Sequence, residues 1–114
     1  MKKTKMLKKN YEFSNVFSKG KYFSGEEIEA FILNNGLNAN YLGLAISVKA
    51  GHAYQRNRVK RLLRECYRKY EVDIFEGYSM VFLLKKKTDI KNVSYNQILK
   101  DMYTIFQKAK IIEK

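Results

Sequence analysis

The chain has no proline and no tryptophan, and only one cysteine and one histidine among its 114 residues. Without proline, an extended linker between two domains has no support, and residues 1–114 read as a single domain. Cys66 alone cannot close an internal disulfide, which excludes a disulfide-stapled secreted scaffold. Cys66 and His52 do not make a cluster at metal-ligand spacing. The longest apolar run, Met80-Val81-Phe82-Leu83-Leu84, has the length of a buried strand, far short of the ~18 residues that span a bilayer. The opening Met1-Lys2-Lys3-Thr4-Lys5-Met6-Leu7-Lys8-Lys9 has the charge of a signal-peptide start. Asn10, Tyr11 and Glu12 interrupt it before any hydrophobic core. These absences predict a cytoplasmic protein with no membrane partner.

Phosphate-cradling glycine runs of the G-x-x-x-x-G-K-S/T or G-x-G-x-x-G type are also missing. Glu26, Glu27 and Glu29 are close in sequence, but strand alternation points Glu26 away from the other two. A protein-borne active site has little support, and no catalytic residue is expected.

Acid is scarce as well. Against 23 Lys and Arg stand 11 Asp and Glu, a net charge of +12. A small domain this basic suits nucleic acid or an anionic surface as partner. The charge is clustered in Gln55-Arg56-Asn57-Arg58-Val59-Lys60-Arg61-Leu62-Leu63-Arg64-Glu65-Cys66-Tyr67-Arg68-Lys69-Tyr70. Val59, Leu62, Leu63, Cys66, Tyr67 and Tyr70 recur at helical spacing and form one apolar stripe. Asn57, Arg61, Arg64 and Arg68 form a row on the other side, flanked by Arg58 and Lys60. Arginine's planar fork suits bidentate contact with phosphate. Cys66 falls on the apolar stripe, which predicts a buried thiol.

The rest divides into short elements. Residues 1–9 read as a flexible basic arm. Asn10 is placed to cap a helix reaching Ser18, with Phe13, Val16 and Phe17 on one side and Gly20 at its end. Lys21 to Ser24 and Ile28 to Leu33 read as strands, the second closed by the turn Asn34-Asn35-Gly36. Tyr41 to Val48 reads as a third strand, Tyr78 to Leu84 as a fourth. Ser94 is placed to cap a last helix carrying Tyr95, Ile98, Leu99, Met102, Tyr103 and Phe106. The order αβββαβα, with a long helix between the last two strands, predicts an α/β (α+β) two-layer sandwich on a four-stranded sheet with a crossover connection.

The third strand puts Leu42, Leu44, Ile46 and Val48 on one face and Tyr41, Gly43, Ala45 and Ser47 on the other. That small-residue face either leaves a shallow trough or admits a closely packed helix. Phe13 and Phe17, one turn apart, either pack on the sheet or offer stacking surface to bases, and Phe31 has the same two readings. His52, in the loop before the basic helix, is either incidental or able to carry a proton or stack on a base. Aromatic residues beside a basic row are what single-stranded RNA binding asks for.

The segment Lys49-Ala50-Gly51-His52-Ala53-Tyr54-Gln55-Arg56-Asn57-Arg58-Val59-Lys60-Arg61-Leu62-Leu63-Arg64-Glu65 closely resembles the signature of the bacterial ribonuclease P protein subunit. Leu7 to Gly20 resembles that family's opening helix, and Leu42-Gly43-Leu44-Ala45-Ile46-Ser47 the strand before the signature. The likeness leaves out only the basic tip and the tail after Gln107. It implies a protein that joins a catalytic RNA to remove the 5′ leader of precursor tRNA, with the RNA and Mg²⁺ performing the hydrolysis and with no obligate protein partner. It also implies a left-handed βαβ crossover, where pattern alone favours a right-handed one. By matched position, Arg56, Arg58, Lys60, Arg61 and Arg64 would face the RNA subunit, and Arg68 extends that row. Phe13, Phe17, Phe31, Ala45, Ser47 and Lys49 would line a cleft for the leader, with Asn57 and Lys60 near its edge. Asn57 also offers a hard side-chain oxygen to a metal ion. Two positions depart from the pattern: Val48 stands where a lysine usually precedes Lys49, and Tyr41 and Leu42 stand where an arginine usually precedes the glycine. The alternatives are a ribosomal-type or chaperone-like RNA-binding module with no role in cleavage, a DNA-binding regulator, and a protein-only nuclease. The last two lack a dimerisation element and an acidic metal cluster, respectively.

Overall fold

A computed structural model describes residues 4–113. Its strands are β1 (Thr4–Met6), β2 (Lys21–Ser24), β3 (Ile28–Asn34), β4 (Asn40–Leu44) and β5 (Tyr78–Leu84). Its α-helices are α1 (Asn10–Lys19), α2 (Ala53–Tyr70) and α3 (Tyr95–Ala109). The strands form one sheet in the order β1-β4-β5-β3-β2. β2 and β5 run antiparallel to β3, while β1 and β5 run parallel to β4. α2 joins the parallel neighbours β4 and β5, which is the crossover that strand, helix and strand in succession predict.

Alternation decides which side chains meet which helices. Ile28, Ala30 and Ile32 of β3, Leu42 of β4, and Met80 and Phe82 of β5 face one way, into a core shared with α2 and α3. α2 buries Val59, Leu63, Cys66 and Tyr67 there, and α3 buries Ile98, Met102, Ile105 and Phe106. The Phe106 ring meets Tyr67, Tyr70 and Phe82 edge-on at centroid distances of 6.3, 5.9 and 5.9 Å, tying both helices to the sheet. Odd-numbered positions face the other way, where α1 lays Val16 and Phe13 against Val81, Leu7 and Ala45.

Gly43 is why α1 lies so close. A Cβ there would stand 2.6 Å from Phe13 Cε2 and 3.0 Å from Leu7 Cδ1. Of the two readings of the small-residue face, the closely packed helix holds at Gly43.

Three expectations are corrected, and the tail adds a feature the sequence did not foretell. Part of the supposed flexible arm is β1, which makes the sheet five-stranded and not four-stranded. The Thr4 hydroxyl of β1 shares a 2.7 Å hydrogen bond with the Tyr67 hydroxyl beneath the sheet. Leu7 is buried as well. Met1, Lys2 and Lys3 of that arm lie outside the described residues. Asn10 is the first residue of α1 and not its cap: the backbone N–H groups of Lys9 and Lys8 donate to Glu12 Oε1 at 2.8 and 2.9 Å. Those two bonds, Lys9's foremost, hold the Glu12 carboxyl below its ordinary pKa. β4 stops at Leu44. Ser47 Oγ accepts the Lys49 N–H and turns the chain into a 3₁₀ turn at Val48–Ala50, leaving Val48 73% exposed. The tail after α3 is folded in: Lys110 takes a left-handed backbone, Ile111 and Ile112 are buried, and Ile112 bridges Ile74.

Other local signals act as expected. Ser94 Oγ accepts the Gln97 N–H at the start of α3. In the turn after β3, Asn34 and Asn35 each accept a backbone N–H two residues on, and Gly36 supplies the positive φ of 70°.

This packing can be tested at Gly43 and at the buried hydroxyl and thiol. Gly43→Ala should lower stability by about 1–3 kcal/mol, because the Phe13 ring must give way. A wild-type urea midpoint would contradict that close approach. The second test concerns alkaline pH. Burial, with the Glu65 charge second, pushes the Cys66 thiol up to about 12. Burial also pushes the Tyr67 hydroxyl up to about 12, against the Thr4 hydrogen bond. Both groups keep their protons longer in the folded state. Their stabilising contribution is therefore whole below the ordinary thiol value, about 8.5, and is lost as pH climbs toward 12. Urea midpoints measured between pH 7 and 11 should fall above pH ~8.5, and Cys66→Ala should delay the fall toward the ordinary tyrosine range near 10. A flat profile would contradict both burials.

Candidate nucleic-acid interface

α2 begins at a tight turn. The His52 N–H donates to Gln55 Oε1 at 2.8 Å, and the His52 carbonyl accepts the Gln55 and Arg56 N–H groups. Gly51 makes room for this, since a Cβ there would stand 2.5 Å from Gln55 Oε1 and 2.9 Å from Ile90 Cγ2. From that start the buried stripe fixes the helix's rotation. Asn57, Arg61 and Arg68 come out exposed, and Arg56, Arg58, Lys60 and Arg64 half-buried.

Two of the arginines are anchored. Arg56 Nη1 donates to the Gly51 carbonyl at 2.7 Å, and Arg58 Nη2 donates to the Val93 carbonyl at 2.8 Å. A guanidinium carries five N–H donors, so one anchoring bond orients the fork and leaves donors for an anion. Sequence spacing could not show this, because Val93 comes from the segment before α3. The helix carries no acid in its first turn and has Arg68 and Lys69 in its last.

The opposite face of the sheet is aromatic. Phe17 of α1 meets Phe31 of β3 edge-on at 5.2 Å, and Tyr22 of β2 leans on Phe31 at 5.3 Å. Cross-strand register sets one row as Tyr22, Phe31, Val81 and Gly43, and the next as Ser24, Glu29 and Leu83. Ala45 continues the floor by donating its N–H to the Phe82 carbonyl. Phe17 and Tyr22 are exposed, while Phe13, Phe31, Ala45 and Leu83 are half-buried.

Of the cleft residues expected from sequence, Phe13, Phe17, Phe31 and Ala45 are brought together on this face. Phe13 is spent largely as packing over Gly43. Ser47 and Lys49 stand on the turn beyond β4, with the Ser47 hydroxyl engaged by the Lys49 N–H. Asn57 sits on α2, whose stripe packs on the other side of the sheet. Tyr22 is a member of this face that sequence reasoning misses. Its hydroxyl donates to Glu29 Oε1 at 2.6 Å, a bond that with burial raises the tyrosine's pKa. Its pairing opposite Phe31 is the signal that would have found it.

A separate groove of about 660 Å³ flanks α1 on its other side, lined by Tyr11, Asn15, Lys19, Leu37 and Tyr41. Glu12 and Lys19 both line it, so it mixes the two signs of charge, unlike the row Arg61, Arg64 and Arg68 of α2. Among the described residues no group of three or more His, Cys, Asp or Glu side chains is placed to hold a metal ion. No described helix is long and apolar enough to cross a membrane.

Known proteins share this sequence pattern and this fold. The sequence model of the ribonuclease P family matches residues 1–110. The ribonuclease P protein component of Natranaerobius thermophilus is 36% identical over 108 residues, covering 95% of this chain and 92% of that protein. The component from Clostridium botulinum strain Loch Maree is 37% identical over 112 residues, covering 97% and 98%. The solved ribonuclease P protein of Thermotoga maritima superposes with a TM-score of 0.81 at 25% identity, covering 96% of this chain and 99% of that one. The Staphylococcus aureus protein shares the fold at a TM-score of 0.82 and 24% identity, covering 95% and 97%. With an outward cationic helix, an aromatic sheet face and a family match along almost its whole length, the chain belongs to the ribonuclease P family, as a protein component of that tRNA-processing enzyme.

Proposed function

We propose a division of labour between the two faces. The cationic face of α2, with Arg56, Arg58, Lys60, Arg61, Arg64 and Arg68, holds the phosphates of the ribonuclease P RNA, and that RNA carries out the hydrolysis. The aromatic face holds the single-stranded 5′ leader of precursor tRNA. There Phe17, Phe31 and Tyr22 offer ring surface, Phe13 and Ala45 form wall and floor, and Ser47 and Lys49 follow on the turn beyond β4. The observation that carries this reading is the burial of Val59, Leu63, Cys66 and Tyr67, which turns the guanidinium row outward.

Stacking on rings and contact with backbone both tolerate any base, so the leader is held with little sequence preference. Leader-bearing substrate is thereby favoured over mature tRNA. Mg²⁺ belongs on the phosphates of the RNA and substrate, whose hard oxygens suit it. A chain of +12 charge lowers the mutual repulsion of those phosphates. A merely structural RNA-binding module would share the cationic face but has no need of a leader site.

Arg61→Ala should weaken assembly with the RNA and reduce the slope of log affinity against log salt by ~0.7–0.9 for each phosphate it no longer neutralises. An unchanged slope removes α2 from the RNA interface. Phe17→Ala should cost about tenfold in affinity for precursor tRNA, within the ~1–3 kcal/mol of one stacked base, and leave mature tRNA binding near wild type. Equal losses for both substrates would take Phe17 out of a leader site.

A further inference from the structure

The basic row of α2 ends in aromatic residues. Tyr54, Asn57, Arg61, Arg64 and Arg68 follow one another at alternating steps of three and four, so Tyr54 continues the row at its N-terminal end. The Tyr54 ring lies parallel to that of His52, with an interplanar angle of 6° and centroids 5.8 Å apart. Tyr54 is 71% exposed, His52 is exposed too, and neither belongs to a hydrophobic cluster of the fold.

The pair stands on a rigid base: the His52 N–H is held by Gln55, its carbonyl accepts two helical N–H groups, and Arg56 is tied to the neighbouring Gly51 carbonyl. An aromatic pair that served only packing would be covered. This one lies open beside cations, with Arg61 about 10 Å further along the helix.

We propose that His52 and Tyr54 form a stacking site for one unpaired base of the RNA whose phosphates α2 holds. The proposal rests on the reading of α2 as the RNA-binding face and adds to it a base contact. Parallel rings present a flat outer face on which a nucleobase can continue the stack, and every base has such a face. Continuity with the cationic row selects RNA as the occupant, since a chain anchored by its phosphates at Arg61 and Arg58 can lay its next base on the rings.

The absence of tryptophan supplies the test. Tyr54→Trp creates a single-tryptophan chain, to be titrated with a transcript of the ribonuclease P RNA from the same cells. Stacking should quench the tryptophan emission as the complex forms. Tyr54→Ala should weaken assembly about tenfold, within the range one stacked base supplies, with an unchanged salt slope. Tyr54→Phe should bind as wild type, because the ring and not the hydroxyl is used. Emission unaltered at saturation, or wild-type affinity for Tyr54→Ala, would overturn the stacking site. So would a reduced salt slope in Tyr54→Ala, which would mean the helix had shifted. Arg61→Ala in the same assay separates the two levels. If it weakens binding while Tyr54→Ala does not, the stacking site alone fails. If neither weakens binding, α2 is not the RNA-binding face.

Discussion

The rotation of α2 about its own axis governs the rest of the molecule. Four side chains set it: Val59, Leu63, Cys66 and Tyr67, all fully buried against the sheet and α3. Burying a side chain such as Val or Leu contributes about 1.5–3 kcal/mol, whereas an exposed ion pair contributes about 0–1 kcal/mol. The apolar stripe therefore decides which way the helix faces, and the charges follow. Turning α2 by one residue, about 100°, would bring charged side chains into the core, a cost no surface pairing could offset. The same stripe reaches past the helix. Tyr67 touches Phe106 on one side and bonds Thr4 of β1 on the other, so helix orientation, α3 and the sheet's parallel edge are fixed together.

The second face obeys a different constraint. Gly43 lets Phe13 sit on β4, which draws α1 down across the middle of the sheet. A single ten-residue helix cannot cover a five-stranded sheet, and the side bearing Phe31, Glu29 and Leu83 stays half-exposed. Leaving apolar surface open gives up burial. In exchange the sheet keeps an open floor of rings and small side chains. The Tyr22 hydroxyl quiets an awkward group on that floor, the Glu29 carboxylate, by donating to it.

What could be read from sequence was what depends on local period. The α2 and α3 stripes, the β3 run, the Ser94 cap and the asparagine turn all depend on residues within a few positions of one another, and all appear as expected. What escaped depends on partners far along the chain. Thr4-Lys5-Met6 has no pattern of its own and becomes β1 only by pairing with Asn40-Tyr41-Leu42. The tail folds in because Phe75 and Ile74 offer it a backbone edge. The same split runs through the site. Helical spacing found the guanidinium row, and likeness to the family found Phe17 and Phe31. The carbonyl anchors of Arg56 and Arg58, and the place of Tyr22, needed the three-dimensional neighbours.

Those anchors bear on how so basic a chain folds at all. Arg56, Arg58, Lys60, Arg61 and Arg64 stand within about three turns of one helix, where like charges repel. Placing two of the guanidinium groups on backbone carbonyls gives them neutral, strongly dipolar partners and leaves their positive charge intact. A carboxylate partner would relieve the repulsion more fully, but it would cancel the field that favours a polyanion and would have to be displaced for one to bind. Carbonyl anchoring thus offsets part of that repulsion while the charge stays unspent. Any polyanion that binds the folded form then stabilises it by mass action, relieving the very repulsion that the free protein tolerates.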